Sequence, residues 1–248
     1  MADLFRLNRD LEAALARANG EQPFLEERPV PTWATVQAAF AALEAGNAEF
    51  AGEIAGKVDR PFPDLHSEWR RDVAVNHSRY DDTPLAAVLC CSDHRASPEL
   101  IFWQGLGRLF VIRDAGNLLD DHGVGGLEYA LEVLRVPLIV VLGHEGCGAV
   151  VAAVSTFQKG CMLPGTKLPA LVERFGTLWA GRPGGNPVDE TWLSHASLAR
   201  TKAEIERIPL VRDRLAGNNL AVVTGRYDVE SGIVSWIGAT PTRPLPAI

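Results

Sequence analysis

A chain of 248 residues with 47% hydrophobic residues, a formal net charge of −7 and four cysteines is long enough to bury a sizeable core. It is too acidic to line a phosphate backbone and too poor in cysteine for a disulfide scaffold. No apolar run reaches the length of a membrane span, and Met1-Ala2-Asp3-Leu4-Phe5-Arg6 lacks the charged-then-apolar layout of a secretory signal. These features predict no nucleic-acid partner, no membrane partner, and a place in the cytoplasm or a compartment within it. There, free thiols serve as ligands or core residues.

Leu4, Leu7 and Leu11 recur at helical spacing, and Pro23, Pro29 and Pro31 make the following stretch irregular. Residues 1–35 therefore read as an N-terminal arm, and residues 36–248 as the main domain. From Thr32, the run Trp33, Val36, Phe40, Leu43 predicts an amphipathic helix that ends at Gly46 and Asn47. Residues 51–84 are polar and proline-bearing, with a short helical patch over 69–75. Leu85 to Cys90, Leu109 to Ile112, Leu138 to Leu142 and Leu220 to Thr224 are short apolar runs of the kind that form fully buried parallel strands. Helical segments over Pro98 to Gln104 and Gly125 to Leu134 lie between them, the second opened by a turn at Gly123 to Gly126 and capped by Asp120-Asp121. Residues 160–195, rich in Gly and Pro, read as a surface excursion. Ile233 to Ile237 reads as an edge strand after a turn at Glu230-Ser231-Gly232. The fold class is α/β: a mostly parallel β-sheet flanked by helices, with an added edge strand and an N-terminal helical arm.

Two stretches carry the chemistry. Cys91-Ser92-Asp93-His94-Arg95 follows the first buried run, and Gly143-His144-Glu145-Gly146-Cys147 follows the third. Thiolate and imidazole both suit zinc, and three protein ligands is the count that leaves a fourth position for water or substrate. The three-residue spacing of His144 and Cys147 predicts the first turn of a helix with both on one face. Two unrelated buried thiols and a core histidine would be the plainer reading. Against it, both halves fall at strand-to-helix turns, where open α/β sheets place their sites. Cys90 must point away from Cys91 on a strand and reads as a buried small hydrophobe. Two thiolates offset the zinc charge, so activity is expected to rise toward alkaline pH. Asp93 either ligates the metal or accepts a hydrogen bond from its water. Arg95 can hold that carboxylate through both oxygens and draw it off the metal. A plain salt bridge closing a turn is compatible with either role.

Cys-x-Asp-x-Arg followed by Gly-His-x-x-Cys-Gly resembles the β-class carbonic anhydrases. Phe110-Val111-Ile112-Arg113-Asp114-Ala115-Gly116-Asn117, Gly126-Leu127-Glu128-Tyr129-Ala130 and Gly225-Arg226-Tyr227-Asp228-Val229 add to the likeness, which spans about residues 36 to 238. The resemblance implies zinc on Cys91, His144 and Cys147 and an Asp93–Arg95 dyad. It further implies reversible hydration of carbon dioxide to bicarbonate and a proton by zinc-bound hydroxide. It also implies a homodimer, or a higher homo-oligomer, with the site at the subunit interface. Phe110, Ala115 and Tyr129 match positions lining the small apolar substrate pocket, though core packing would equally explain the two rings.

Departures from the family pattern fall at three places. His94 stands where a small residue is usual, as a surface histidine, a proton shuttle or a rival ligand. Asp82 stands nine residues before Cys91, where many members carry a substrate-orienting Gln, and Trp103 replaces the Asp of Phe-Asp-Gln. Val88 occupies a slot that is Trp in bicarbonate-regulated members, which argues against that inhibition. Two rival functions follow: a hydrolase of carbon disulfide or carbonyl sulfide on the same scaffold, and a non-catalytic zinc-binding assembly protein. Residues 1–35 are a candidate tail for docking to a larger assembly.

Overall fold

The apolar runs become β1 (Ala86–Cys90), β2 (Leu109–Arg113), β3 (Leu138–His144) and β4 (Ala221–Tyr227), joined by β5 (Val234–Ile237). The computed structural model describes residues 35–56, 84–105, 107–160, 165–182, 189–238 and 240–241. Outside the described residues lie the N-terminal arm up to residue 34, the helical patch over 69–75, Asp82 and the fourth cysteine, Cys161. The helices are α1 (Val36–Ile54), α2 (Pro98–Ile101), α3 (Asp121–Glu132), α4 (Gly148–Lys159), α5 (Leu168–Glu173), α6 (Gly176–Ala180), α7 (Glu190–Arg207) and α8 (Pro209–Ala216). No described helix is long and apolar enough to cross a membrane.

The strand order is β2-β1-β3-β4-β5, with four parallel strands and an antiparallel edge at β5. The chain leaves β1 toward β2 on one side and returns to β3 on the other. The switch point therefore lies between the carboxyl ends of β1 and β3, where open α/β sheets hold ligands. Side chains alternate across each strand. Ala86, Val88, Cys90, Leu138, Val140 and Leu142 pack under Phe40, Leu43, Ile101 and Phe102 of the α1–α2 layer. Ala87, Leu89, Ile139 and Val141 face Leu127, Leu131, Leu198, Ile205 and Val211 from α3, α7 and α8.

Three expectations need correction. Helix α1 does not stop at Gly46 and Asn47 but runs on to Ile54. Gly46 is there because a Cβ would run into the Phe102 carbonyl oxygen. Asn47 is buried, donating to Ile101 O at 3.1 Å and Gly232 O at 2.8 Å and accepting from Val234 N at 2.9 Å, so it ties α1 to the hairpin instead of capping a helix. The segment over 160–195 is no mere excursion, since Val172 and fully buried Phe175 enter the core. Gly123 to Gly126 lies within α3, and the predicted cap is real: Asp120 Oδ1 accepts from Gly123 N at 2.7 Å.

Candidate metal centre

Cys91 follows the last residue of β1, His144 is the last residue of β3, and Cys147 is the N-cap of α4. His144 and Cys147 therefore do not share a helical turn, as their spacing suggested. The chain instead reverses through Gly146 in the left-handed region, φ 60°, which favours glycine. The result still brings the three donors together. Their ligand atoms lie within 4.8 Å of one another, the two sulfurs are 3.8 Å apart, and all three residues are buried, His144 at 2% exposure. Cys90 turns into the opposite cluster, fully buried, with burial pushing its thiol up to about 12.

The surroundings orient each donor. His144 Nδ1 donates to Glu145 O at 2.9 Å. That leaves Nε2 as the lone-pair nitrogen, buried and without a hydrogen-bond partner among the described residues. A buried orphan acceptor beside two sulfurs fits a borderline-soft cation. Cys91 Sγ accepts from Gly116 N at 3.3 Å, a contact made possible by the 3₁₀ turn Ala115–Asn117 that follows β2. The bond with Cys147 is the main cause that pulls the Cys91 thiol down to about 4; burial opposes it, and His144 and the Gly116 N–H add to it. Cys147 is pushed up by the same contact and by burial. At 3.8 Å one of the two sulfurs can donate its proton to the other. Burial alone would lower the His144 imidazole, but its contact with Cys91, the Glu145 carbonyl and Asp93 carry it upward.

Asp93 sits at the rim with its carboxylate taken up by Arg95. Nε reaches Oδ1 at 3.0 Å, Nη2 reaches Oδ2 at 2.7 Å, and the Arg95 backbone N–H adds a third bond to Oδ1 at 2.9 Å. These contacts, the guanidinium first, hold the carboxyl well below the usual carboxylate range despite burial. Oδ2 is still 3.9 Å from His144 Nε2. His94 is 91% exposed, its Nδ1 3.8 Å from Asp93 Oδ1, and it stands clear of the three donors. Arg113 was missed as a site residue. It donates from Nε to Cys91 O at 3.2 Å and from Nη2 to Asp93 O at 2.6 Å and Ala96 O at 3.2 Å, pinning the whole Cys91 loop. Its place at the end of β2, one residue before the Asp-Ala-Gly-Asn turn, was the available signal.

The expected pocket residues are only partly brought together. Ala115 adjoins Gly116 and so lies beside Cys91. Phe110 and Tyr129 face each other with ring centroids 6.0 Å apart. Phe110, however, pairs with Ala87, four residues or about 13 Å down the strand from Cys91, and Tyr129 is 41% exposed. Within one chain the ring pair stands apart from the donors.

A parallel sheet carrying two sulfurs and an imidazole at its switch point defines an α/β protein with a cluster that could hold a metal ion. A family profile described as carbonic anhydrase matches residues 86–234. Carbonic anhydrase 2 of Mycobacterium tuberculosis is 38% identical over 197 residues, covering 79% of this chain and 89% of that one. The carbonic anhydrase of Mycolicibacterium smegmatis is 38% identical over 200 residues, covering 79% and 91%. In structure, the β-carbonic anhydrase CafA of Aspergillus fumigatus aligns with a TM-score of 0.59 at 23% identity, over 82% of this chain and 92% of that one. One of the two tetrameric β-carbonic anhydrases of Sordaria macrospora aligns at 0.58 and 22%, over 82% and 98%. The chain belongs to the β-class carbonic anhydrase family. The relatives lend no support to a carbon disulfide or carbonyl sulfide hydrolase, or to a non-catalytic zinc scaffold.

Proposed function

We propose that the chain catalyses the reversible hydration of carbon dioxide to bicarbonate and a proton, with zinc held by Cys91, His144 and Cys147. The observation that carries the reading is the buried, unpartnered His144 Nε2 beside two sulfurs 3.8 Å apart, with the nearby carboxylate engaged elsewhere. Zinc at such a site supplies a Lewis acid that makes water nucleophilic near neutral pH. The rest falls to the chain. Arg95 keeps Asp93 off the donors, which leaves the centre open on that side. Asp93 Oδ2, ionised throughout the working range, accepts a hydrogen bond from the attacking water and orients it. Leu118, Ala149 and Val150 pack with the two ligand cysteines, an apolar wall suited to an uncharged linear substrate. His94, exposed beside Asp93, is placed to pass the proton outward.

The separation of Phe110 and Tyr129 from their own donors supports a homodimer, or a higher homo-oligomer, in which this ring pair completes the pocket of another copy. A cytoplasmic protein is consistent with the composition, whereas a docking role for residues 1–35 draws no support from the relatives. The test is stopped-flow carbon dioxide hydration by metal-verified protein from mildly acidic to alkaline pH, beside Cys147→Ser. Activity that rises with pH and vanishes in the variant is expected. Full zinc with no hydration at any pH would sink the reading.

A further inference from the structure

The turn from His144 to Cys147 is tied down by an arginine on each side. Arg95 Nη2 donates to the Gly146 carbonyl at 3.3 Å. On the opposite side, Arg226 Nη1 lies 2.8 Å from Glu145 Oε1. Glu145 is the residue that sets the imidazole, because its carbonyl accepts from His144 Nδ1 at 2.9 Å. Its own N–H donates to Tyr227 O at 2.9 Å, adding a rung beyond the β3–β4 ladder. Arg226 is the residue before Tyr227, paired with Gly143 on β3 and with Ser235 on β5. One residue of β4 thus grips the side chain of Glu145 while the next grips its backbone. Arg226 Nε is buried and has no hydrogen-bond partner among the described residues, and the ion pair with Glu145 is the contact that holds the far end of its guanidinium. The pair borders a cavity of about 240 Å³, shared with His144, Cys147 and Ser194, that reaches the ligands from this side.

With side-chain exposures of 20% for Arg226 and 43% for Glu145, the ion pair is screened and adds little to global stability. Its consequence is directional, since partners that orient a ligand imidazole govern how firmly the metal is held. We propose that Arg226 is a positioning residue for the metal centre: through Glu145 it fixes the turn that aims His144 Nε2 at the two sulfurs. The inference rests on the reading that the triad binds zinc.

The experiment follows zinc release from the loaded full-length protein into excess chromogenic chelator, with melting temperature recorded alongside. Arg226→Gln releases zinc about 10-fold faster than the parent, and Arg226→Lys recovers most of the difference. Glu145→Gln gives the same acceleration, and the double variant adds nothing further, as expected for two members of one contact. Arg214→Gln, which breaks the Arg214–Glu132 pair between α8 and α3, leaves release unchanged. Parent-like release from Arg226→Gln, an equal acceleration in Arg214→Gln, or additive effects at 145 and 226 would overturn the proposal. A parent that holds zinc beside an indifferent Arg226→Gln sinks the clamp alone. A parent that takes up no zinc sinks the zinc reading and the clamp together.

Discussion

Arg95 engages both oxygens of Asp93, and the nearer oxygen to the centre, Oδ2, stops 3.9 Å from His144 Nε2. The guanidinium fork thus holds the carboxylate toward Arg95 and away from the imidazole. Arg95→Ala frees Asp93 to swing onto the metal, and hydration should fall at least about 100-fold while zinc content stays at one per chain. Arg95→Lys should not restore it, because an ammonium cannot make two parallel bonds. Stopped-flow rates paired with metal analysis decide the matter, and a lysine variant with parent activity would refute the fork.

His94 gives a second, separable effect. Its ring is almost wholly exposed and adjoins Asp93 without touching the donors. His94→Ala should lower kcat in dilute buffer, leave kcat/KM unchanged, and regain its rate on addition of imidazole. A variant equally fast in dilute buffer would exclude the relay.

Cys90 and Cys91 are neighbours with opposite chemistry. Burial holds the Cys90 thiol at about 12, above any working buffer, so it stays protonated. Cys91 in the metal-free protein is drawn below an ordinary thiol, chiefly by its contact with Cys147, which favours the reactive thiolate. Iodoacetamide at pH 8 should place one alkyl group on the peptide spanning both, located to Cys91 by fragmentation, and only after zinc is stripped. Labelling at Cys90 in folded protein would contradict the assigned burial.

Asp228 supplies the pH dependence of the hairpin into β5. Its carboxylate is lowered chiefly by the Glu230 N–H, with Ser231 adding to it. A folded value below the unfolded one, about 3.9, means that its stabilisation is present above that pH and is lost as pH falls through the folded value. Asp228→Asn should therefore melt below the parent at neutral pH, with the gap closing below about pH 4. A gap that persists into stronger acid would show that the charge is not responsible.

Gly46→Ala tests packing against propensity. Alanine would favour a helix interior by up to about 1 kcal/mol, yet the new methyl would strike the Phe102 carbonyl beneath α1. Overpacking costs about 1–3 kcal/mol and should win, so denaturant melts are expected to show a net loss. A stabilised variant would mean that α1 lifts freely from the sheet.

Strands β1 to β4 and their parallel pairing were legible because each is built on a short, mainly apolar run between breakers. The cluster of Cys91, His144 and Cys147 was legible because all three fall at or just past the ends of two buried strands. Helix α7 was not, since its buried face mixes Ser194, Ser197 and Thr201 with Leu193, Leu198 and Ile205, thinning the apolar period. Gly46 and Asn47 read as a helix stop because local propensity points that way, while their partners Phe102, Ile101 and Gly232 lie far along the chain. The bonds from Gly116 and Arg113 to the Cys91 loop cross between strands and leave no spacing for a sequence to display.

The strand register acts as the ruler of the centre. Cys90 pairs with Leu142, two positions before His144, so the spacing of the Cys91 and His144 donors is set by ladder rungs and not by loops. One residue inserted within β1 or β3 would advance a ligand by about 3.3 Å and turn it to the other face. An insertion within β1 or β3, or in the turn from His144 to Cys147, is therefore expected to take a donor out of place.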